Sequence, residues 1–439
     1  MMGRTLLFIL TVFVTTNVSA QEYSLDKILE LALSNNHNIK ILQNNVIIAD
    51  NNADRGNAGM LPQVNLDGGA TYTNTDTKLE LLAQPSPVTI EQDGAESISA
   101  NLGLGLNWVV FDGMAMFHNY DKLKLLVDLE DVKTRASVEN TLMQVINTYY
   151  QMANTMNNVK VARESISITK DRLNRAKANY DVGGSSSIDY LSAEVDLNTD
   201  SVTLVNSLAQ LEIASNNLNQ LTGYQLPEGY TISDQVDIVS KMDYAELVKQ
   251  SNANNAQLLN AEYSKLTAEK DLKVAQAGYL PTVSVNGQYG LNYQENEVGN
   301  LLNAKNLGYS AGITLSYPIF QANQRKIRSQ NAKVALMSSE EMRLNTVDQL
   351  KTDLNNAWIE YEKNAAVLEM EKRNLKNAEV NFSRTRELYQ LGKVTNVQFR
   401  DAQLNYLRTQ VNIVSSKYQV RLSEFELIRL SGMLIKKEG

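Results

Sequence analysis

The chain contains two copies of one large unit, and this duplication constrains its fold more than any other feature. The first copy has Ala-Gly-Met-Leu-Pro before residue 63, and the second has Ala-Gly-Tyr-Leu-Pro before residue 282. Later landmarks recur at a constant step of 209 residues (320 − 111 = 209): Phe111 and Phe320, Tyr180 and Tyr389, Gly183 and Gly392, Gly223 and Gly432. A constant step leaves no room for an insertion, and a repeat far longer than a solenoid unit indicates tandem duplication.

Two stretches between these landmarks predict very long helices. Neither Met114 to Val182 nor Gln321 to Leu391 contains glycine or proline. Roughly 70 helical residues extend about 105 Å at 1.5 Å per residue. Each stretch carries an apolar stripe at the i, i+3, i+4, i+7 spacing of one helix face. The stripes are Leu142, Val145, Ile146 and Tyr149, and Leu350, Leu354, Ala357 and Tyr361. Helices of this length suggest a coiled-coil-like assembly.

Each long helix is predicted to be the first arm of an antiparallel hairpin. Gly183 and Gly392 end the long stretches, and helical sequence resumes near the polar residues Ser187 and Asn396. Glycine after a helix and a polar residue before the next one are typical of caps. The returning helices are only about half as long by the same rise per residue.

Four segments alternate between apolar or small residues and polar residues. They are Val64 to Tyr72, Ile98 to Val110, Val283 to Tyr293 and Tyr309 to Ile319. A period of two suits a membrane β-strand with lipid on one side and water on the other. A half-buried sheet of a soluble protein gives the same pattern, so alternation alone leaves both interpretations open. The lengths match the ~9–11 residues of a tilted spanning strand, which favours the membrane interpretation.

The number of strands constrains how a membrane sheet is closed. Open edges are not tolerated in lipid, because each unpaired backbone group costs several kcal/mol. Four strands cannot close a barrel around a lumen, and eight would be filled by their own side chains. Twelve strands from three chains are wide enough for a conduit, so a duct requires at least a trimer.

The ends and the composition indicate export. Met1 to Ala20 has a basic residue at Arg4, an apolar core and a small-residue site at Val18-Ser19-Ala20, as in a secretory signal. A membrane anchor is the alternative, but the apolar run is shorter than the ~20 residues of a spanning helix. The chain has no cysteine, which excludes disulfides and thiolate metal sites. Its net charge of −8, without a basic patch, argues against a nucleic-acid partner.

The repeated order of helix, Leu-Pro, two strands, long helix, Tyr-x-x-Gly, helix and Gly resembles the TolC family of outer-membrane efflux channels. The resemblance covers nearly all of the chain after the signal segment, and its most specific pieces are the tips Tyr180 to Gly183 and Tyr389 to Gly392. It implies a mixed α/β membrane protein with duplicated helical hairpins in a periplasmic α-barrel. Four strands per chain then contribute to a trimeric, twelve-stranded transmembrane β-barrel in the outer membrane of a Gram-negative cell.

The resemblance also implies a passive exit duct that works with a periplasmic adaptor and an inner-membrane pump. No catalytic activity and no cofactor are expected, since no catalytic or metal-ligand motif is present in the sequence. The rival interpretation is a secreted periplasmic coiled-coil adaptor or structural protein, which explains the hairpins but not the alternating strands. The fold does not distinguish drug efflux from protein secretion.

The resemblance implies a gate at the helical tips. Tyr389 matches the family's gate tyrosine, Asp401 one of its two gate acids, and Asp189 the acid of the first hairpin. Gln398 stands at the second acid position and Val394 at the gate arginine position, so this chain has only part of the family's salt-bridged lock. A hydrogen-bonded lock through Gln398 and Tyr389 is the alternative. Three copies of Asp401 form an acidic ring in one interpretation, and are solvated surface acids in the other.

Two further sets of residues are candidates for contacts outside the chain. Gly183 and Gly392 match positions where, in the family, the adaptor's hairpin meets the channel. The alternative is that each glycine only caps the C-terminal end of its helix. Tyr72, Trp108 and Tyr317 are candidates for an aromatic girdle at the lipid interface, with ordinary core packing as the alternative.

The predicted organisation follows the repeats. The segments are a signal peptide at 1–20, a first repeat at 21–223, a connector at 224–243 and a second repeat at 244–439. The first repeat has strands at about 63–74 and 97–110 and a helical hairpin at 112–222. The second has strands at about 282–293 and 308–319 and a helical hairpin at 321–431. The interval from 73 to 97 is predicted to be a long extracellular loop.

Overall fold

A computed structural model describes residues 22–82, 85–236, 238, 242–299 and 301–435, and within them the chain forms eight helices and six strands. The helices are α1 (Leu25–Asn35), α2 (His37–Asn52), α3 (Ala115–Asp181), α4 (Ser187–Leu221), α5 (Tyr244–Asn254), α6 (Ala256–Ala277), α7 (Gln324–Gln390) and α8 (Asn396–Leu430). The strands are β1 (Glu22–Tyr23), β2 (Gln63–Leu81), β3 (Val88–Phe111), β4 (Thr231–Ile232), β5 (Thr282–Asn296) and β6 (Asn303–Ser316). The predicted signal peptide lies outside the described residues.

The duplication is visible in the lengths of the helices. The helices α3 and α7 both have 67 residues, and α4 and α8 both have 35. At 1.5 Å per residue, each long helix extends about 100 Å. We call α3 with α4 the first hairpin and α7 with α8 the second hairpin. Among the described residues, no helix combines the length and the apolar character needed to cross a membrane.

The chain divides into two compact units that do not follow the two sequence repeats. As far as the structure describes them, the first unit consists of residues up to Leu42, Arg135–Asn255 and the part from Leu350 onward. The second unit consists of Gln43–Thr134 and Ala256–Gln349. Each unit therefore contains corresponding parts of both repeats. The two long helices, α3 and α7, each contribute residues to both units.

The core of the first unit lies along the predicted apolar stripe of α3. Val145 and Ile146 are fully buried there and pack with Ile28 of α1 and Leu218 of α4. Tyr149 of the same stripe donates its hydroxyl to the backbone carbonyls of Tyr23 and Ser233, at 3.2 and 3.0 Å. These bonds attach the helix to the small parallel sheet that β1 forms with β4.

The second unit contains a four-stranded antiparallel sheet in the order β2-β3-β5-β6. Its register separates two faces, because alternate residues of a strand point to opposite sides. One cross-strand row consists of Leu66, Leu104, Tyr289 and Tyr309. The neighbouring row, on the other face, consists of Asn65, Gly105, Gln288 and Ser310. The sheet is thus apolar on one face and polar or small on the other, as the sequence alternation predicts.

The strands differ in extent from those expected from the sequence. β2 and β3 continue well into the interval predicted to be a loop, and their pairing extends to Leu81 with Val88. A register shift between Thr75 and Thr77 interrupts the alternation there and hides the extension. The last strand starts earlier than 308 and ends at Ser316, before Pro318, which has no backbone N–H to donate.

Candidate gate at the helical tips

The two hairpins turn in the same way at their tips. Gly183 and Gly392 have φ angles of +73° and +68°, which glycine adopts without a Cβ clash. At the second tip, the N–H groups of Gly392 and Lys393 donate back to the carbonyls of Tyr389 and Leu388 at 3.1 and 2.9 Å. These bonds satisfy carbonyls that the helix end leaves free. No atom lies within 4 Å of a Cβ built on either tip glycine, so both tips are open on that side.

The side chain of Gln398 is part of a local cap at the start of α8. Its side-chain carbonyl accepts from the backbone N–H of Thr395 at 2.9 Å, while the Thr395 hydroxyl accepts from the N–H of Gln398 at 3.3 Å. This reciprocal pair is a capping box that starts α8. In the described residues this cap uses the side-chain oxygen of Gln398, and a hydrogen-bonded lock between Gln398 and Tyr389 stays a prediction.

Tyr389 packs against the second hairpin's own return helix. Its ring stacks on Phe399 with centroids 4.7 Å apart and planes 8° apart. Burial raises the pKa of Tyr389, and the negative charge of Asp189 acts in the same direction, while Arg172 opposes both. Tyr389 is therefore a neutral, half-buried aromatic residue that lies within electrostatic reach of the Asp189 carboxylate of the first hairpin.

The two acids of the predicted gate remain accessible. Asp189 is in the first turn of α4, where a carboxylate complements the helix dipole, and its backbone carbonyl accepts from Asn396 Nδ2 at 3.4 Å. That bond connects the tips of the two hairpins. Asp401 is exposed on α8, and in the described part of the chain its carboxylate forms no ion pair.

A network of charged residues beside the tips was missed by the sequence reasoning. The guanidinium of Arg400 donates to both carboxylate oxygens of Asp200, at 2.8 and 3.1 Å, and lies 3.8 Å from Asp196. Arg172 of α3 forms an ion pair with the same Asp196. We call Arg172, Asp196, Asp200, Thr169 and Arg400 the inter-hairpin network, since it joins α3 and α4 to α8.

Most of the inter-hairpin network is buried, with Asp196 as its partly exposed member, and its contacts keep the carboxylate of Asp200 charged. Burial alone would raise the pKa of Asp200, but hydrogen bonds from Arg400, Thr169 and Ser165 outweigh it and lower that pKa. The Thr169 hydroxyl donates to Asp200 at 2.6 Å. The spacing offered a usable signal: Ser165, Thr169 and Arg172 recur on one face of α3, and Asp196 and Asp200 are four residues apart on α4.

The three aromatic candidates for the lipid interface have different positions. Tyr72 is on β2, on the apolar face of the sheet, and is 59% exposed. Trp108 of β3 is 39% exposed and donates its indole N–H to the carbonyl of Met60 at 3.0 Å. Tyr317 comes one residue after β6 and is exposed as well. In the chain by itself, none of the three is a core residue.

Within the described residues, no group of three or more His, Asp or Glu side chains is arranged to hold a metal ion. The charged residues of the inter-hairpin network are joined to one another by hydrogen bonds and ion pairs, so this arrangement joins helices.

The family of the chain follows from comparison with known sequences. A sequence model of the outer membrane efflux protein family matches residues 28–224 and 247–433, which is most of the chain and falls on both repeats. The chain belongs to this family. It is an outer-membrane exit duct of an efflux system, so the predicted resemblance, location and function are confirmed.

Individual relatives are distant but match over most of their length. "Outer membrane protein TolC" of Vibrio cholerae is 20% identical over 395 residues, which covers 87% of this chain and 84% of the relative. "Probable outer membrane lipoprotein SilC" of Salmonella typhimurium is 21% identical over 412 residues, covering 91% and 84%. The crystal structure of the Campylobacter jejuni CmeC outer membrane channel has a TM-score of 0.76 at 17% identity and covers 94% of this chain and 87% of that chain. This last likeness supports the fold.

Proposed function

We propose that three copies of this chain assemble into one duct, with twelve strands closing a barrel in the outer membrane. The two-faced sheet supports this proposal. Its edge strands β2 and β6 each have one neighbour in the described chain, and an open edge is costly in lipid. Pairing β2 of one copy with β6 of the next removes every edge and leaves the polar face lining a lumen.

The first experiment is to extract the mature protein from outer membranes in detergent and measure its mass and channel activity. We expect a particle of three chains that conducts ions in planar bilayers. A monomer recovered without detergent would contradict the duct and support the periplasmic coiled-coil alternative.

The duct serves, on this proposal, as the passive exit of a system with a periplasmic adaptor and an inner-membrane pump. The tips support docking of a partner, because apolar side chains stand exposed there, with Val182 at 81% and Leu391 at 67%. Gly183 and Gly392 lie between the helix ends and leave open space for close backbone approach.

Replacing both tip glycines by asparagine is expected to weaken adaptor binding without unfolding the hairpins. Asparagine tolerates positive φ but adds a side chain where an approaching backbone needs room. Cross-linking to a co-expressed adaptor should fall, while the trimer and its melting temperature stay close to wild type. Unchanged cross-linking in a folded double variant would mean that the glycines are plain C-caps.

We propose further that Asp189, Tyr389, Gln398 and Asp401 surround the periplasmic gate, where Gln398 also caps the start of α8. Three exposed Asp401 carboxylates then form an acidic ring, which raises the local concentration of cations. Tyr72, Trp108 and Tyr317 are proposed to lie at the two membrane interfaces, where aromatic rings with a polar end are favoured.

The Asp401→Asn variant is expected to reduce the cation preference of the duct by about twofold or more, because three charges are removed from the proposed gate. The measurement is the reversal potential in a salt gradient across a planar bilayer. Asp50→Asn, at an exposed acid of α2, is the matched control and should leave the potential unchanged. Equal potentials for Asp401→Asn and wild type would make Asp401 an ordinary surface acid.

A further inference from the structure

A cavity of about 410 Å³ opens near the tips, between α3 of the first hairpin and the end of α7 in the second. Its wall contains three arginines, Arg172 and Arg175 of α3 and Arg386 of α7, together with the rings of Tyr389 and Phe399. All of its lining residues belong to one chain and to the first compact unit. The cavity is therefore a feature of the single chain, whether or not three copies assemble into a duct.

We propose that this cavity is a binding site for a small aromatic carboxylate. Arg175 and Arg386 hold the carboxylate, and the ring of the ligand lies against Tyr389 and Phe399. Such a site goes beyond the proposed passive conduction, because it gives the chain a ligand of its own. Asp401, the acid proposed to attract cations, is not among the residues that line the cavity.

The wall of the cavity carries more positive than negative charge. Among the described residues that line it, three are arginines and one, Asp171, is an acid. Asp171 lies 3.9 Å from Arg386, with side chains 65% and 49% exposed, so water and salt screen this contact. Arg175 forms no ion pair or hydrogen bond in the part of the chain that the structure describes. The guanidinium groups of Arg175 and Arg386 are therefore available to a carboxylate, which they match with paired N–H donors.

Arg172 adds a fixed positive charge to this wall. Its side chain is 1% exposed and forms an ion pair with Asp196, which holds the guanidinium in place. Its Nε atom is buried and has no hydrogen-bond partner among the described residues. Because buried polar groups nearly always have a partner, this N–H is a donor that the fold of the chain leaves unused.

Two of the positive charges lie within electrostatic reach of the Tyr389 hydroxyl. Burial raises the pKa of Tyr389, and the charges of Arg172 and Arg175 both act against this rise. The hydroxyl is neutral and forms no hydrogen bond with any described residue, so it can donate to an anion. Tyr389 therefore offers the ligand both a polar group and the face of a ring.

The remaining part of the wall is apolar. The rings of Tyr389 and Phe399 are stacked with their planes 8° apart, and Ile168 and Phe399 belong to a buried cluster beneath them. Aromatic walls favour a flat apolar body, and an inorganic anion would leave them unused. A volume of about 410 Å³ is near the lower end of the roughly 300–1,000 Å³ of ligand pockets, which suits a ligand with a single ring.

The duplication provides a matched control for Arg175. The step of 209 residues places Arg384 of α7 at the equivalent position (384 − 175 = 209). Arg384 is exposed like Arg175 and likewise forms no ion pair or hydrogen bond with the described residues. It does not line the cavity, and the equivalent of Arg172 in its repeat is Asn381. The second repeat therefore keeps one arginine of the site but not the buried one.

The test is fluorine NMR of para-fluorobenzoate titrated with the detergent-extracted protein, which reports the dissociation constant. We expect saturable binding by the wild-type protein. Arg175→Gln and Arg386→Gln are each expected to raise the dissociation constant about tenfold, because each removes a pair of charge-assisted hydrogen bonds. Arg384→Gln should bind like wild type. Para-fluorobenzylamine, which has the same ring and a positive charge, should not bind.

Several results would overturn this site. One is the absence of saturable binding, and another is an equal dissociation constant for Arg175→Gln and Arg384→Gln. Displacement of the ligand by an equal concentration of inorganic phosphate would show a plain anion site and would overturn the aromatic class of ligand. If para-fluorobenzoate does not bind and Arg175→Gln loses cross-linking to the adaptor, the cavity receives an acidic side chain of a partner instead.

The folding of the variants and the proposed duct are checked separately. Arg175 and Arg386 are exposed, so both variants should melt at the wild-type temperature. A wild-type protein that binds para-fluorobenzoate but does not form a conducting trimer would contradict the duct and leave the site in place. A conducting trimer without saturable binding would do the reverse.

Discussion

Replacing Leu104 by arginine is expected to prevent the duct from accumulating in the outer membrane, whereas the same replacement at Asn101 is expected to be tolerated. Both residues are exposed on β3, and they are three positions apart, so they lie on opposite faces of the sheet. Leu104 is in the apolar row with Leu66 and Tyr289, and Asn101 pairs with Asn292 on the polar face. The two variants therefore place the same residue, arginine, on the same strand but on opposite faces of the sheet.

The expected difference comes from the cost of a charge in lipid. Arginine on the lipid-facing side of a membrane strand costs about 2–4 kcal/mol at the midplane. In a trimer that cost applies to each of three chains. On the polar face the guanidinium meets water, so the cost is expected to be small. The Asn101→Arg ring should instead reduce cation conductance through like-charge repulsion.

The measurement is the amount of heat-modifiable trimer in washed outer membranes, followed by the reversal potential for the variant that assembles. We expect trimer from Asn101→Arg at close to the wild-type level and little or none from Leu104→Arg. Equal amounts of trimer from the two variants would mean that the Leu104 face does not contact lipid, and it would remove the main support for the twelve-stranded barrel.

The alternation of residues sufficed to predict these faces, because each strand alternates independently of its neighbours. Val64, Leu66, Leu102 and Leu104 identify the apolar side before any pairing is known. The extents of the strands were predicted less well. The shift between Thr75 and Thr77 places the residues beyond it out of phase, and a pattern of period two cannot be followed through such a shift.

The division into compact units was not predictable from the repeat. The repeat shows which segments share an ancestral sequence. A compact unit is defined instead by which segments are in contact. Because α3 and α7 each contribute to both units, corresponding pieces of the two repeats pack together. The step of 209 residues therefore predicted the equal helix lengths and gave no information on where the units divide.

At the tips, the sequence identified the turns but not the contacts between helices. Gly183 and Gly392 have the positive φ that their position after a helix suggests. The role of Gln398 depends on a competing local partner, Thr395, and Arg400 depends on α4, which is about 200 residues away in the chain. Local residue spacing does not identify a partner that is this far away in the sequence.

Replacing Gly432 by alanine is expected to destabilise the chain far more than replacing Gly392. Both glycines follow the end of a helix of the second hairpin, with φ angles of +70° and +68°. Alanine in this backbone conformation costs about 1–2 kcal/mol at either site, because Cβ approaches the following carbonyl. The two positions differ in what surrounds them, which makes them a matched pair.

The surroundings of Gly432 leave no room for a methyl group. A Cβ at this position would overlap the backbone carbonyl of Asn254 at the end of α5, while nothing lies within 4 Å at Gly392. The same region is fixed by two hydrogen bonds, from Asn255 Nδ2 to the Leu430 carbonyl at 2.9 Å and from Arg135 to the Gly432 carbonyl at 2.6 Å. Relief of the overlap requires movement of backbone, so overpacking adds about 1–3 kcal/mol or more.

This close contact is repeated in the other half of the chain. Gly223 follows α4, a Cβ there would lie 2.7 Å from the carbonyl oxygen of Asn35, and Asn36 Nδ2 donates to the Leu221 carbonyl at 2.8 Å. The same arrangement at both duplicated positions indicates that helix ends of the first unit depend on it. The Gly223→Ala variant should therefore resemble Gly432→Ala.

The measurement is the temperature at which the detergent-extracted trimer dissociates. Gly392→Ala is expected to lower it by a few degrees. Gly432→Ala and Gly223→Ala are expected to lower it much further or to prevent recovery of trimer. Equal shifts for Gly392→Ala and Gly432→Ala would mean that positive φ alone requires glycine at these helix ends, and that the approach of Asn254 to Gly432 is too loose to exclude a methyl group.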